Sequence, residues 1–332
     1  IFYSRISYAE TTTQKDLDTI SLYLENDFFA GQDSQYTNGL KLTWTSAIHD
    51  NYPDIWPHRW FYPLIKHLPF EKSPDVKKNI TLSFGQNIYN PTDIELTDPD
   101  PNDRPYAGIS YLSIGFHSRD QRDMNTLELT LGLVGPHSYA EECQKDVHKI
   151  FGYTEPKGWD YQLKDEPVLD IVYEHKKKLA QSGLEGGFGH ALILCTGGGL
   201  GNAMTYYNLG LNLRIGWNIP NDFGNFPIRP VSSVNAAIDS ADSKYANLKK
   251  IGFYLFASTE GRAVLRNIFL DGNTFTDSRS VDKKPLVGDI MTGFGIITGR
   301  VQFYFAYVYR TKEFETQQEA EKFGSINISV SY

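Results

Sequence analysis

The sequence is poor in the residues that usually anchor soluble enzymes and small secreted domains. Two cysteines, Cys143 and Cys195, occur in 332 residues. They form neither a metal-ligand spacing nor a disulfide framework, and one bridge or two free thiols both remain open. No run approaches the roughly 18 apolar residues of a membrane helix, which excludes a helical membrane protein. Positive charge is in deficit: 32 Lys and Arg stand against 40 Asp and Glu, a net charge of −8. That balance argues against a nucleic-acid surface. There is no G-x-S-x-G elbow, no H-E-x-x-H and no Walker A run. Gly197-Gly198-Gly199-Leu200-Gly201 does not complete a dinucleotide fingerprint and reads as a strand end or turn.

What is present is aromatic and alternating. Phe, Tyr and Trp make up 14% of the chain, while mean hydropathy is −0.40. Polar on average yet rich in Tyr and Phe is the composition of a transmembrane β-barrel, where only alternate residues meet lipid; it also fits a secreted β-sandwich. Period-2 patterning runs almost end to end. Leu209, Leu211, Leu213, Ile215 and Trp217 alternate with Gly210, Asn212, Arg214 and Gly216, and Leu127, Leu129, Leu131 and Leu133 alternate with Thr126, Glu128, Thr130 and Gly132.

Twelve strands are predicted, over 19–28, 37–47, 78–89, 105–117, 124–135, 166–178, 187–198, 204–219, 250–271, 285–298, 300–311 and 324–332. The 250–271 segment reads as one long strand or a hairpin; the former gives the even number of a closed barrel. The long connections 48–77, 90–104, 136–165 and 219–249 are expected at one end and short turns at the other. The last strand, with Ile326, Ile328 and Val330 alternating up to Tyr332, favours a barrel over a sandwich. The fold class is therefore an all-β antiparallel transmembrane barrel. Residues 19–332 are expected to form its single domain. Residues 1–18 are expected to be a leader remnant or linker, since Ser7-Tyr8-Ala9 has the small-x-small form of a signal-peptidase site.

Two segments break the alternation. After Gly135-Pro136, residues 138–152 predict a short helix, with Ser138 as N-cap, acidic residues in the first turn and Gly152 as the stop. Gln144 and His148 are four apart and share one face of it; His148 is either a solvated surface residue or a proton acceptor. The second segment is Glu25-Asn26-Asp27-Phe28-Phe29. Strict alternation points Asn26 to the same side as Ile20, Leu22 and Leu24. Asp27 offers a hard oxygen ligand suited to calcium; a simple turn start is the other reading. Thr37, in Tyr36-Thr37-Asn38-Gly39, lies across the hairpin.

These runs, together with Gln86-Asn87-Ile88-Tyr89-Asn90-Pro91, Asp103-Arg104-Pro105-Tyr106-Ala107-Gly108, Gly158-Trp159-Asp160-Tyr161-Gln162-Leu163, Asn267-Ile268-Phe269-Leu270-Asp271-Gly272 and Arg310-Thr311-Lys312-Glu313-Phe314, resemble the outer-membrane lipid A 3′-O-deacylase family and its uncharacterised outer-membrane relatives. The resemblance spans nearly the whole chain. It implies a twelve-stranded barrel in the outer membrane of a Gram-negative bacterium. The active site would lie between barrel wall and loop helix. It implies a calcium-dependent carboxylic ester hydrolase that removes a 3′-linked acyl or acyloxyacyl chain from lipid A. Its partners would be lipopolysaccharide and other outer-membrane lipids, with no nucleic acid and a monomeric state.

The family's site residues fall on Asn26, Thr37, Gln144 and His148 as catalytic groups and on Asp27 as the Ca2+ ligand. Characterised deacylases also use a lysine after the third strand. Here 90–104 contains no Lys, the aligned position is about Leu96, and Arg104 is the nearest cation. An inactive barrel of the same fold, acting as a pore or structural protein, is the alternative; a phospholipase is a third, weaker one.

Overall fold

In the computed structural model, residues 17–27, 35–52, 66, 76–183, 187–225 and 251–332 are described. The alternating segments become twelve antiparallel strands: β1 (Thr19–Asn26), β2 (Gln35–Thr45), β3 (Lys77–Asn90), β4 (Ala107–Arg119), β5 (Asp123–Val134), β6 (Glu166–Gln181), β7 (Phe188–Gly201), β8 (Met204–Trp217), β9 (Ile251–Asn267), β10 (Leu286–Thr298), β11 (Val301–Arg310) and β12 (Glu321–Ser331). Each pairs with its sequence neighbours, and β1 pairs with β12 to close the barrel. The closing seam runs from Thr19↔Ser331 to Asn26↔Gly324. On its inner side Thr19 and Ser331 hydroxyls meet at 2.9 Å and those of Ser21 and Ser329 at 2.7 Å. The 250–271 segment is one strand, ended where the Asn267 side chain accepts the Phe269 N–H and starts a one-turn helix, Ile268–Asp271. Gly197–Gly201 forms the end of β7. Both cysteines are free thiols. Among the described residues no helix is long and apolar enough to cross a membrane.

The two faces separate as the alternation requires. Leu209, Leu211, Leu213, Ile215 and Trp217 point outward and are exposed, whereas Asn208, Asn212 and Arg214 point inward and are buried. Exposed leucine in a continuous band is costly in water and costs nothing in lipid. Aromatic side chains project into the lumen. Tyr23, Tyr111, Tyr254, Tyr304, Phe256 and Phe323 are buried in it. Its ionised groups come in pairs, as buried charge demands: Arg262 and Arg310 both bind Asp289, at 2.9 and 2.8 Å, and Arg214 binds Asp222 and Asn225. Asp222 and Asn225 lie in 218–225, the described start of the β8–β9 connection, which reaches into the barrel.

Long connections lie at both ends, contrary to the sequence expectation. Strand direction puts 46–76 and 218–250 at the end that holds the terminus Tyr332, and 91–106, 135–165, 268–285 and 311–320 at the far end. The described parts of the first two are packed rather than loose. Tyr52, fully buried, donates its hydroxyl to the His117 carbonyl at 2.7 Å and meets Phe116 edge-on. Residues 1–16, with the Ser7-Tyr8-Ala9 site, lie outside the described residues.

Closure depends on the last strand. Deleting Ser331 and Tyr332 removes the Thr19–Ser331 rung and the Tyr332 N–H bond to the Asp18 carbonyl, 2.9 Å. The truncated chain is expected to lose the folded, anomalously migrating band on unheated gels. Normal insertion and migration would contradict the role given to this seam.

Candidate functional site

At the far end, the outer face of β3 stops being lipid-like. Phe84 is 53% exposed, but Ile88 and Asn90, on the same face one and two rungs beyond Gln86, are 1% and 0% exposed. They are covered by the 135–165 connection. Its helix α1 (Ala140–Phe151) ends, as the sequence predicts, at Gly152 in a left-handed conformation, φ 72°. Its start differs. Ser138 is not the N-cap: Gly135-Pro136 opens a single 3-10 turn over Pro136–Ser138, and the helix begins after Tyr139, itself left-handed at φ 57°. The Ser138 hydroxyl instead donates to the Gly135 carbonyl at 2.6 Å, while its own carbonyl accepts from Gln86 at 2.8 Å and Ser110 at 2.7 Å. This clamp ties the helix root to the outside of β3 and β4. Gly108 makes the approach possible, since a Cβ there would lie 2.0 Å from the Ala140 Cβ.

From that root, α1 runs back across the wall. Ala140 sits over β4, and Gln144 reaches Asn90 at the end of β3, with Nε2 donating to Oδ1 at 3.4 Å. The next turn of α1 carries His148. Beyond β3 in the barrel stand β2 and β1. Those strands end in the amide-rich knot. Asn26 pairs with Asn38, and Asn38 with Ile88, so Asn26, Asn38, Ile88 and Gly108 form one outward rung leading to the helix root.

The site side chains are held by specific partners. His148 is 4% exposed, and its Nδ1 meets the Thr154 carbonyl at 2.5 Å. A carbonyl only accepts, so Nδ1 is the donor here, and in the neutral form of the ring the lone pair lies on Nε2. Tyr153 packs edge-on against the ring at 5.7 Å. Gln144 is 2% exposed, and its Oε1 accepts from Trp159 Nε1 at 2.8 Å. With the amide fixed from both ends, Gln144 joins helix, strand and the 158–163 segment. Trp159, 1% exposed, leans on Tyr106 at 4.9 Å and packs with Ile88, Ile94 and Ala140. Cys143, half-buried beside Gln144, has its thiol pushed up by burial and by Asp146. On the solvent side, a 2.7 Å bond to Glu141 holds the Lys145 ammonium above its ordinary range.

Asp27, one residue past β1, is 1% exposed. Asn38 Oδ1 is buried and takes no hydrogen bond among the described residues. Asp27, Asn26 and Asn38 would offer a carboxylate and amide oxygens, the hard donors that calcium takes. Among the described residues no three His, Cys, Asp or Glu side chains converge, so a cation here would rest on one carboxylate plus carbonyl-type oxygens. Thr37 lies where the β2–β3 register slips between Tyr36 and Asn38, a bulge of the kind that re-aims side chains beside active sites; its side chain is outside the described residues. Arg104 does not serve this face. It is 1% exposed, paired with Glu313 at 2.8 Å and placed over the inward rings of Tyr89 and Phe314. Leu96 is exposed at 43%.

Three residues here had no assigned role from sequence: Trp159, Asn90 and Asn38. Each lies in one of the quoted runs, but only the folded register shows what it touches.

The structure of LpxR from Salmonella typhimurium superposes with a TM-score of 0.74 at 18% identity, covering 94% of this chain and 99% of that one. The β domain of the Bordetella autotransporter BrkA aligns with a TM-score of 0.41 at 9% identity, over 95% of this chain and 98% of that one. The NalP translocator domain of Neisseria meningitidis gives 0.41 at 10% identity, over 97% and 90%. No curated protein sequence matches the chain significantly. The family model described as outer membrane protein LpxR matches residues 1–332, and the chain belongs to that outer-membrane barrel family.

Proposed function

We propose that the chain hydrolyses an ester-linked acyl or acyloxyacyl chain at the 3′ position of lipid A, with His148 as general base. The observation that carries this reading is the His148 tautomer: Nδ1–H is committed to the Thr154 carbonyl, which leaves Nε2 to accept a proton. A barrel chain reaches the outer membrane from the periplasm and keeps both termini there, so the α1 end faces the outer leaflet, where lipid A resides. The site lies on the outer wall, so a lipid need not leave its leaflet to reach it.

In this mechanism Nε2 of His148 takes a proton from water as the oxygen attacks the ester carbonyl carbon. The imidazolium then returns that proton to the departing sugar oxygen as the C–O bond breaks. Charge develops on the carbonyl oxygen, and the amide N–H groups of Asn26 and Asn38 would stabilise it. A calcium ion bound at Asp27 would add positive charge at that oxygen. Gln144 acts by position: with Oε1 and Nε2 engaged by Trp159 and Asn90, it fixes the turn of α1 that carries His148. Thr37, whose backbone lies at the β2–β3 bulge, is taken as a further polar contributor to the site.

His148→Asn and His148→Ala are each expected to lower lipid A deacylation roughly 10²-fold or more, read by mass spectrometry of lipid A, with the folded gel band unchanged. His137→Ala is the control. His137 is in an exposed pair with Asp165, which contributes little, so activity should hold. Near-normal turnover by His148→Asn would remove His148 as the base.

Asp27→Ala should abolish calcium-induced stabilisation in a melting assay as well as activity, and chelator should silence the parent protein until calcium is restored. Full activity in chelator would end the metal assignment.

Trp159→Phe removes the indole N–H and leaves Gln144 Oε1 buried without its donor, at a cost of about 1–3 kcal/mol. Expected is a lowered melting temperature and a fall in kcat smaller than that of His148→Asn. A fall in kcat as large as that of His148→Asn at unchanged stability would place Trp159 in the chemistry instead.

A further inference from the structure

A second lipid-binding feature lies on the opposite wall, six strands round the barrel from β3 and β4. On the outward face near the outer-leaflet rim, Leu209 of β8 pairs with Gly261 of β9, and Gly261 with Gly288 of β10. Gly288 then exchanges hydrogen bonds with Thr311: its N–H meets Thr311 Oγ1 at 2.8 Å and its carbonyl accepts from the Thr311 N–H at 2.9 Å. Two adjacent positions in the rung thus carry no side chain. A Cβ on Gly261 would meet nothing within 4 Å, and one on Gly288 nothing closer than 3.6 Å.

The result is a groove of about 650 Å³, walled by Tyr207, Leu209 and Leu286 and topped by Lys284 and Lys312. Leu286, Tyr207 and Leu209 are 71%, 57% and 53% exposed, so the walls are apolar and face lipid. Lys284 is held to Glu315 at 2.6 Å. Lys312 is exposed and makes no ion pair with a described residue. It also borders a second depression, of about 410 Å³, that reaches Lys322 and includes Glu319.

We propose that this groove is a non-catalytic docking site for a phosphate-bearing lipid of the outer leaflet, with one acyl chain over Gly261 and Gly288 and the phosphate at Lys312. Charge and depth choose the occupant. The cations stand just beyond the ends of β10 and β11, at the height of lipid headgroups, directly above an apolar furrow of acyl-chain width. Lysine at that boundary attracts anionic headgroups while the wall below accepts only hydrocarbon. The site shares no residue with the α1 cleft, so it stands whether or not His148 is the base of a deacylase.

The test is native mass spectrometry of the full-length barrel in detergent, titrated with bisphosphorylated lipid A and with the same lipid stripped of phosphate. Chelator is present throughout to prevent turnover. The parent protein should retain phosphorylated lipid A and hold the dephosphorylated form at least tenfold more weakly. Gly261→Leu fills the furrow without displacing a neighbour, and Lys312→Glu reverses the rim charge; each should lower retention about tenfold while the folded gel band and deacylation stay unchanged. Lys312→Gln, expected between parent and Lys312→Glu, serves if Lys312→Glu fails to fold. Equal retention by the parent and all variants, or equal retention of both lipids, would overturn the proposal. So would full competition by millimolar inorganic phosphate, which would make this a free-phosphate site.

Discussion

Hydrocarbon offers a backbone amide no partner, so a sheet in a membrane must close on itself. The remaining features of this protein follow from that constraint. Closure of β1 on β12 requires an even strand number with both termini at one end. It turns every second side chain to lipid and every other one into the lumen. Charges sent inward must then find each other, which is why Arg262, Arg310 and Asp289 cluster where no solvent reaches.

The same constraint decides where chemistry can occur. Irregular backbone and polar outward residues are tolerated only at the rim, under cover. Here the cover is α1, rooted by the Gln86 and Ser110 bonds to the Ser138 carbonyl and brought close by Gly108. Asn26, Asn38 and Asn90 stand at the rim on the lipid-facing parity of β1, β2 and β3, next to the strands that carry this cover. In the proposed reading, a site between helix and wall would let a lipid ester reach the imidazole without crossing the lumen.

Much of the fold was legible because lipid enforces strict alternation: all twelve strands were readable, with ends mostly within a few residues. The helix stop was legible from Gly152, but its start was not. Ser138 has the composition of an N-cap, yet its hydroxyl is used by Gly135 and its carbonyl by β3 and β4, contacts up to 52 residues apart. Pattern also failed for Arg104, because a loop residue has no parity to say whether it points in or out. The slip at Thr37 leaves no mark in the Leu40, Leu42, Trp44 alternation that follows. Asn38 and Trp159 gain meaning only from the β1–β2–β3 register and from the fold of 135–165 over it.

The account rests most heavily on which nitrogen of His148 bears the proton. Nitrogen-15 NMR of histidine-labelled protein in micelles, with His148→Asn to assign the signal, measures it directly. At a pH where the ring is neutral, the expected result is a protonated Nδ1 and a bare Nε2. A neutral ring protonated on Nε2, with Nδ1 bare, would contradict the bond to Thr154 and with it the base proposed here.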